Sequence, residues 1–203
     1  FNTGTKNTAV GASSLYNNTG FSNTANGYNA LYSNTTGYFN TANGNEVLKS
    51  NTTGNFNTAN GSGALFYNST GTANTANGYS ALYQNATGHS NVAIGAFALN
   101  RNTNRSNLVA IGDSALYNNG LGATAAYHST DNSAVGSKSL YSNTTGYRNT
   151  ASGPTTLYSN TSGANNTAIG YNALYHNITG FDNSANGKRA LYQNSTGSWN
   201  TAN

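Results

Sequence analysis

Only 6% of the 203 residues are charged, and the net charge of +4 rests on eight scattered Lys and Arg, which leaves no basic cluster to grip nucleic acid. One proline and no long apolar run exclude a collagen-like chain and a membrane-inserted helix within the segment. Low charge together with fifteen tyrosines and seven phenylalanines argues against disorder, and the absence of cysteine excludes a disulfide framework.

One phrase, clearest at 23–39 (NTANGYNALYSNTTGYF), recurs along the chain. Aligned on the alanine of NTA, the copies fall at Ala9, Ala25, Ala42, Ala59, Ala76, Ala93, Ala110, Ala134, Ala151, Ala168, Ala185 and Ala202. Every step is 17 residues except the first, which is 16, and Ala110 to Ala134, which is 24. The long step predicts an inserted loop at about 121–131. Residues 1–203 thus read as a single repeat array, a segment of a longer one. The period is too short for two-helix repeats, and Asn, Thr, Gly and Ser disfavour helix. An all-β chain is expected: a parallel β-solenoid, or β-roll, of about twelve 17-residue coils. At about 4.8 Å per rung such a rod is on the order of 55 Å long.

Within a coil the first predicted strand is 24–27, with Ala25 inward and Thr24 outward by alternation. The second is 29–32, with Leu31 inward. The resulting core ladder is Leu15, Leu31, Leu48, Leu65, Leu82, Leu99, Leu116, Leu140, Leu157, Leu174 and Leu191. Each full burial contributes roughly 1.5–3 kcal/mol before chain entropy is subtracted. Asn-Thr-Thr-Gly is the corner, because Asn and Gly tolerate the left-handed backbone of tight turns, and stacked asparagines can form a ladder. After the leucine, Tyr16, Tyr32, Tyr83, Tyr117, Tyr141, Tyr158, Tyr175 and Tyr192 should form a file interrupted by Lys49, Phe66 and Asn100. The slot after the alanine holds Asn26, Asn43, Asn60, Asn77 and Asn186 but Val10, Ile94, Ile111, Val135 and Ile169. A slot accepting both is not a dry core position, since an unpartnered buried amide costs a few kcal/mol; it suits a ladder at an interface between chains.

Little here suggests catalysis. His128, Ser129 and Asp131 sit together in the insertion, but groups within four positions rarely reach triad geometry. No acid or histidine recurs at ligand spacing, so neither a metal nor another cofactor is expected. The insertion itself is a candidate binding loop. Sequons recur throughout the chain. Eight share the corner slot (Asn34, Asn51, Asn68, Asn85, Asn143, Asn160, Asn177 and Asn194) and are candidate glycosylation sites that would form a stripe; Asn17, Asn104 and Asn165 lie outside it. With 39 asparagines in the chain, turn chemistry alone also accounts for the corner.

Asn166-Thr167-Ala168-Ile169-Gly170 and Asn91-Val92-Ala93-Ile94-Gly95 resemble the repeats of trimeric autotransporter adhesin heads, left-handed parallel β-rolls on bacterial surfaces. The longer NTAxGxxALYxNTTG wording resembles repeats of bacterial surface proteins and of viral or phage fibres. The coil here is 17 residues rather than about 14, and half the copies carry Asn where the adhesin heads carry Ile. The resemblance implies a non-enzymatic extracellular, cell-surface or virion-fibre protein: a rod, filament subunit or adhesin. Its expected partners are further copies of itself, as filament or homotrimer, and host or surface glycans. The Thr and Asn columns of 24–77 raise an alternative, an ice- or surface-binding solenoid.

Overall fold

The computed structural model describes residues 3–203. Twelve short strands, from β1 (Thr8–Val10) to β12 (Thr201–Ala202), form one parallel sheet in strict sequence order. The register is set by the repeat: Ala25 lies beside Ala42, Ala42 beside Ala59, and Ala110 beside Ala134 across the insertion. The chain is therefore a parallel β-solenoid, as the 17-residue period predicts.

Each coil contributes one three-residue strand rather than two or three. In Thr24–Asn26 the alanine is buried while Thr24 and Asn26 face out. The second predicted strand is absent. Residues 27–34 instead form consecutive tight turns, closed by Ala30 N–H to the Gly27 carbonyl (3.3 Å), Tyr32 N–H to Asn29 (3.3 Å) and Asn34 N–H to Leu31 (3.2 Å). Asn29 and Leu31 take the left-handed conformation, with φ of 55° and 51°. This geometry turns Ala30 and Leu31, neighbours in sequence, both into the core, which strand alternation forbids. The turns still bond coil to coil: Leu31 N–H reaches the Val47 carbonyl and Ser33 N–H that of Lys49, both at 3.0 Å.

Leucine in the left-handed region is unusual, at a cost of roughly 1–2 kcal/mol. The core offsets it, because every leucine of the predicted ladder from Leu15 to Leu174 is fully buried, with Leu191 partly so. The glycine after each strand is required for a different reason. A Cβ on Gly61, where φ is +114°, would lie 2.8 Å from the carbonyl carbon and oxygen of Gly78. Adjacent coils touch backbone to backbone there.

Half of the interior is apolar, lined by the alanine and leucine columns. The other half is amide. Asn51 Nδ2 donates to Asn34 Oδ1 (2.7 Å) and to the Gly54 carbonyl (3.0 Å). Asn40 Nδ2 donates to the same Gly54 oxygen (2.8 Å), while Asn40 Oδ1 accepts the Asn57 N–H (3.0 Å). Two asparagine columns thus meet over one glycine carbonyl, and repetition carries the bonding from coil to coil, except at Asn102, whose buried Oδ1 has no partner. Only the corner column is expected from turn chemistry. The inner one, the first Asn of each NTA from Asn23 onward, was visible as a recurrence broken only at Leu108.

Candidate functional surface

The insertion is one irregularity of the rod. Between Asn119 and Ser129 the chain runs through residues 120–128 where other coils have two residues, so the extra seven lie on the surface. Three changes accompany it. Arg105 stands where glycine normally closes the corner, and it is buried. Its guanidinium donates to the Ala123 carbonyl (2.7 Å) and the Ala126 carbonyl (3.4 Å), pinning the loop. Asn119 Nδ2, lacking its glycine acceptor, donates to the Ser129 carbonyl (3.0 Å). Leu108, fully buried, replaces the inner asparagine just upstream of the insertion. The loop displays Leu121 and Tyr127, both about half exposed.

His128, Ser129 and Asp131 do not converge. Ser129 Oγ donates to the Thr144 carbonyl, His128 Nδ1 accepts the Ala125 N–H, and Asp131 Oδ2 accepts the Thr130 hydroxyl. Among the described residues no group of three His, Asp or Glu is placed to hold a metal ion, and no helix is long and apolar enough to cross a membrane.

The glycosylation stripe does not fit this geometry. Asn34, Asn51, Asn68, Asn85, Asn143, Asn160 and Asn177 are fully buried. Both Nδ2 hydrogens are engaged, as at Asn85, which donates to Asn68 Oδ1 and the Gly88 carbonyl. Asn194 is partly buried with the same pair of bonds. A sugar on that nitrogen would have to empty the slot. Asn17, Asn104 and Asn165, which lie outside the corner, are exposed.

The sheet face runs through all twelve strands. Its outward residues are Thr, Ser, Val, Ile and Asn, with no charged residue on any of the twelve strands. At its middle lie Val92 and Ile94 of β6 (Val92–Ile94), Val109 and Ile111 of β7 (Val109–Ile111) and Val135 of β8 (Ser133–Val135). Ile94, Ile111 and Val135 are 38%, 37% and 42% exposed. The Asn/Ile slot is thus a surface column, and in its polar part Asn43 Nδ2 donates to Asn60 Oδ1 at 2.8 Å. No protein-family model, curated protein or solved structure matches this chain.

Proposed function

We propose that the protein is a non-enzymatic, extracellular structural rod, a filament subunit or adhesin, whose sheet face packs against further copies of the same chain. One observation carries the reading: a sheet face twelve strands long has no charge and holds an aliphatic patch at its centre. An exposed contiguous apolar patch marks an interaction site. The column alternates between amide and aliphatic stretches, so copies lying parallel and in register match Asn to Asn and Ile to Ile. Antiparallel packing about β7 would set Asn60 against Ile169.

The test is the oligomeric state of Ile94→Lys/Ile111→Lys beside the parent. Association by the parent and a monomeric variant with an unchanged circular dichroism spectrum support the reading; a monomeric parent at high concentration overturns it. The ice-binding alternative rests on the outward Thr24, Thr41, Thr58 and Thr75. It requires thermal hysteresis that persists when Thr41→Ala leaves the fold intact but falls when Thr24, Thr41, Thr58 and Thr75 are all replaced by Ala.

A further inference from the structure

Tyrosines follow the core leucines in five consecutive coils, at Tyr117, Tyr141, Tyr158, Tyr175 and Tyr192. From Tyr117 to Tyr192 five rings stack without a gap. Their centroids are separated by 5.3 Å (Tyr117–Tyr141), 5.3 Å (Tyr141–Tyr158), 5.1 Å (Tyr158–Tyr175) and 5.3 Å (Tyr175–Tyr192). The interplanar angles are 11°, 6°, 5° and 22°. All five are half-buried, so the edge of each phenol meets solvent while its faces meet its neighbours.

We infer that this file is a preformed seam for oxidative cross-linking, in which dityrosine bonds tie each coil covalently to the next. The oxidant class is a haem peroxidase working on hydrogen peroxide. Each of two neighbouring phenols loses one electron and its phenolic proton, giving two phenoxyl radicals. Their unpaired electrons pair as a new bond between carbons ortho to the oxygens. The hydrogens on those carbons then move to the oxygens, restoring both phenols. Hydrogen peroxide takes up the two electrons and two protons and leaves as two waters.

Geometry decides whether such radicals find each other. Two tyrosines in solution must meet by diffusion, whereas here the partner is fixed in contact, and well-oriented intramolecular reactions reach effective molarities far above any real concentration. Tyr141, Tyr158 and Tyr175 each have a partner on both sides. Tyr28 and Tyr171 have no stacked tyrosine among the described residues and serve as internal controls. Each bond would close a loop of about one coil in the unfolded chain, which constrains that state as a disulfide does. The seam depends on the file alone and stands whether or not copies associate.

The experiment treats the dilute full chain with hydrogen peroxide and a haem peroxidase and maps cross-linked peptides after denaturation. The expected product migrates as a monomer, is lighter by two hydrogen atoms per link, and carries its links between file neighbours. Tyr158→Phe keeps a ring in the stack but removes the phenol. It should abolish the Tyr141–Tyr158 and Tyr158–Tyr175 peptides and leave Tyr117–Tyr141 and Tyr175–Tyr192. Unfolding in urea before oxidation should cut the yield of neighbour links several-fold. An unmodified monomer, links that join chains or fall mainly on Tyr28 and Tyr171, or a yield unchanged by urea would each overturn the seam.

Discussion

An asparagine of the corner column satisfies three partners at once. Asn68 donates to Asn51 Oδ1 (2.7 Å) and to the Gly71 carbonyl (3.0 Å), and its own oxygen accepts from Asn85 (2.8 Å). Alanine there leaves buried groups unmatched, each costing about 1–3 kcal/mol. Aspartate is the sharper test. A carboxylate keeps the acceptor but cannot donate, so it faces Asn51 Oδ1 and Gly71 O with a buried charge. The folded state then favours the protonated acid, which raises the folded pKa of the new group above its unfolded value. Stability is highest below the ordinary carboxyl pKa, about 3.9, and is lost as pH rises through the raised folded value. Asn68→Asp should therefore melt at a higher temperature in acid than at neutral pH, while Asn68→Ala shows no such trend. The corner column was legible, because one residue type at a fixed slot suggests a ladder. Its burial was not, since the sequon pattern and the turn pattern share the same letters.

At the scale of the element, the turns and the insertion set the architecture. Leu82 is fully buried with φ of 51°, so Leu82→Ala should cost about 2–5 kcal/mol, read from chemical denaturation. The sequence placed Leu31 inward correctly but through a strand that does not form. Adjacent apolar Ala30 and Leu31 were the available sign of a turn, because a pleated strand sends neighbours to opposite faces. The insertion was legible to within a few residues from the 24-residue step, while its tether was not. Arg105 lies more than ten residues upstream and reads as one more surface cation. A hydrogen bond from a charged donor contributes about 1.5–3 kcal/mol. Arg105→Ala should leave the far-ultraviolet spectrum unchanged and accelerate amide exchange in 120–128 about tenfold or more, measured by hydrogen–deuterium exchange.

For the whole molecule, few charges mean that little of the stability responds to pH until the tyrosines titrate. Burial raises the Tyr175 phenol, helped by Tyr158 and Tyr192; burial likewise raises Tyr83, helped by Tyr67. The unfolded chain then releases these protons first, so their contribution is complete below the ordinary phenol pKa, about 10, and is lost as pH rises through the folded value. Melting temperature should decline above that pH, and Tyr175→Phe should decline less steeply. The fold at this scale was legible because parallel stacking follows from periodicity alone. The aliphatic patch on the sheet face was legible only as a slot that tolerates both amide and aliphatic side chains.

Near-identical coils raise a question of counting. A chain whose every rung offers the same partners can zip up one rung out of step, skipping a copy and extruding it, with almost no penalty in either amide column. Leu108 cannot offer an amide, and Arg105 fits only beside the long step. A copy displaced across that rung would therefore lose matched partners in both amide columns at once, so the register is hardest to break there.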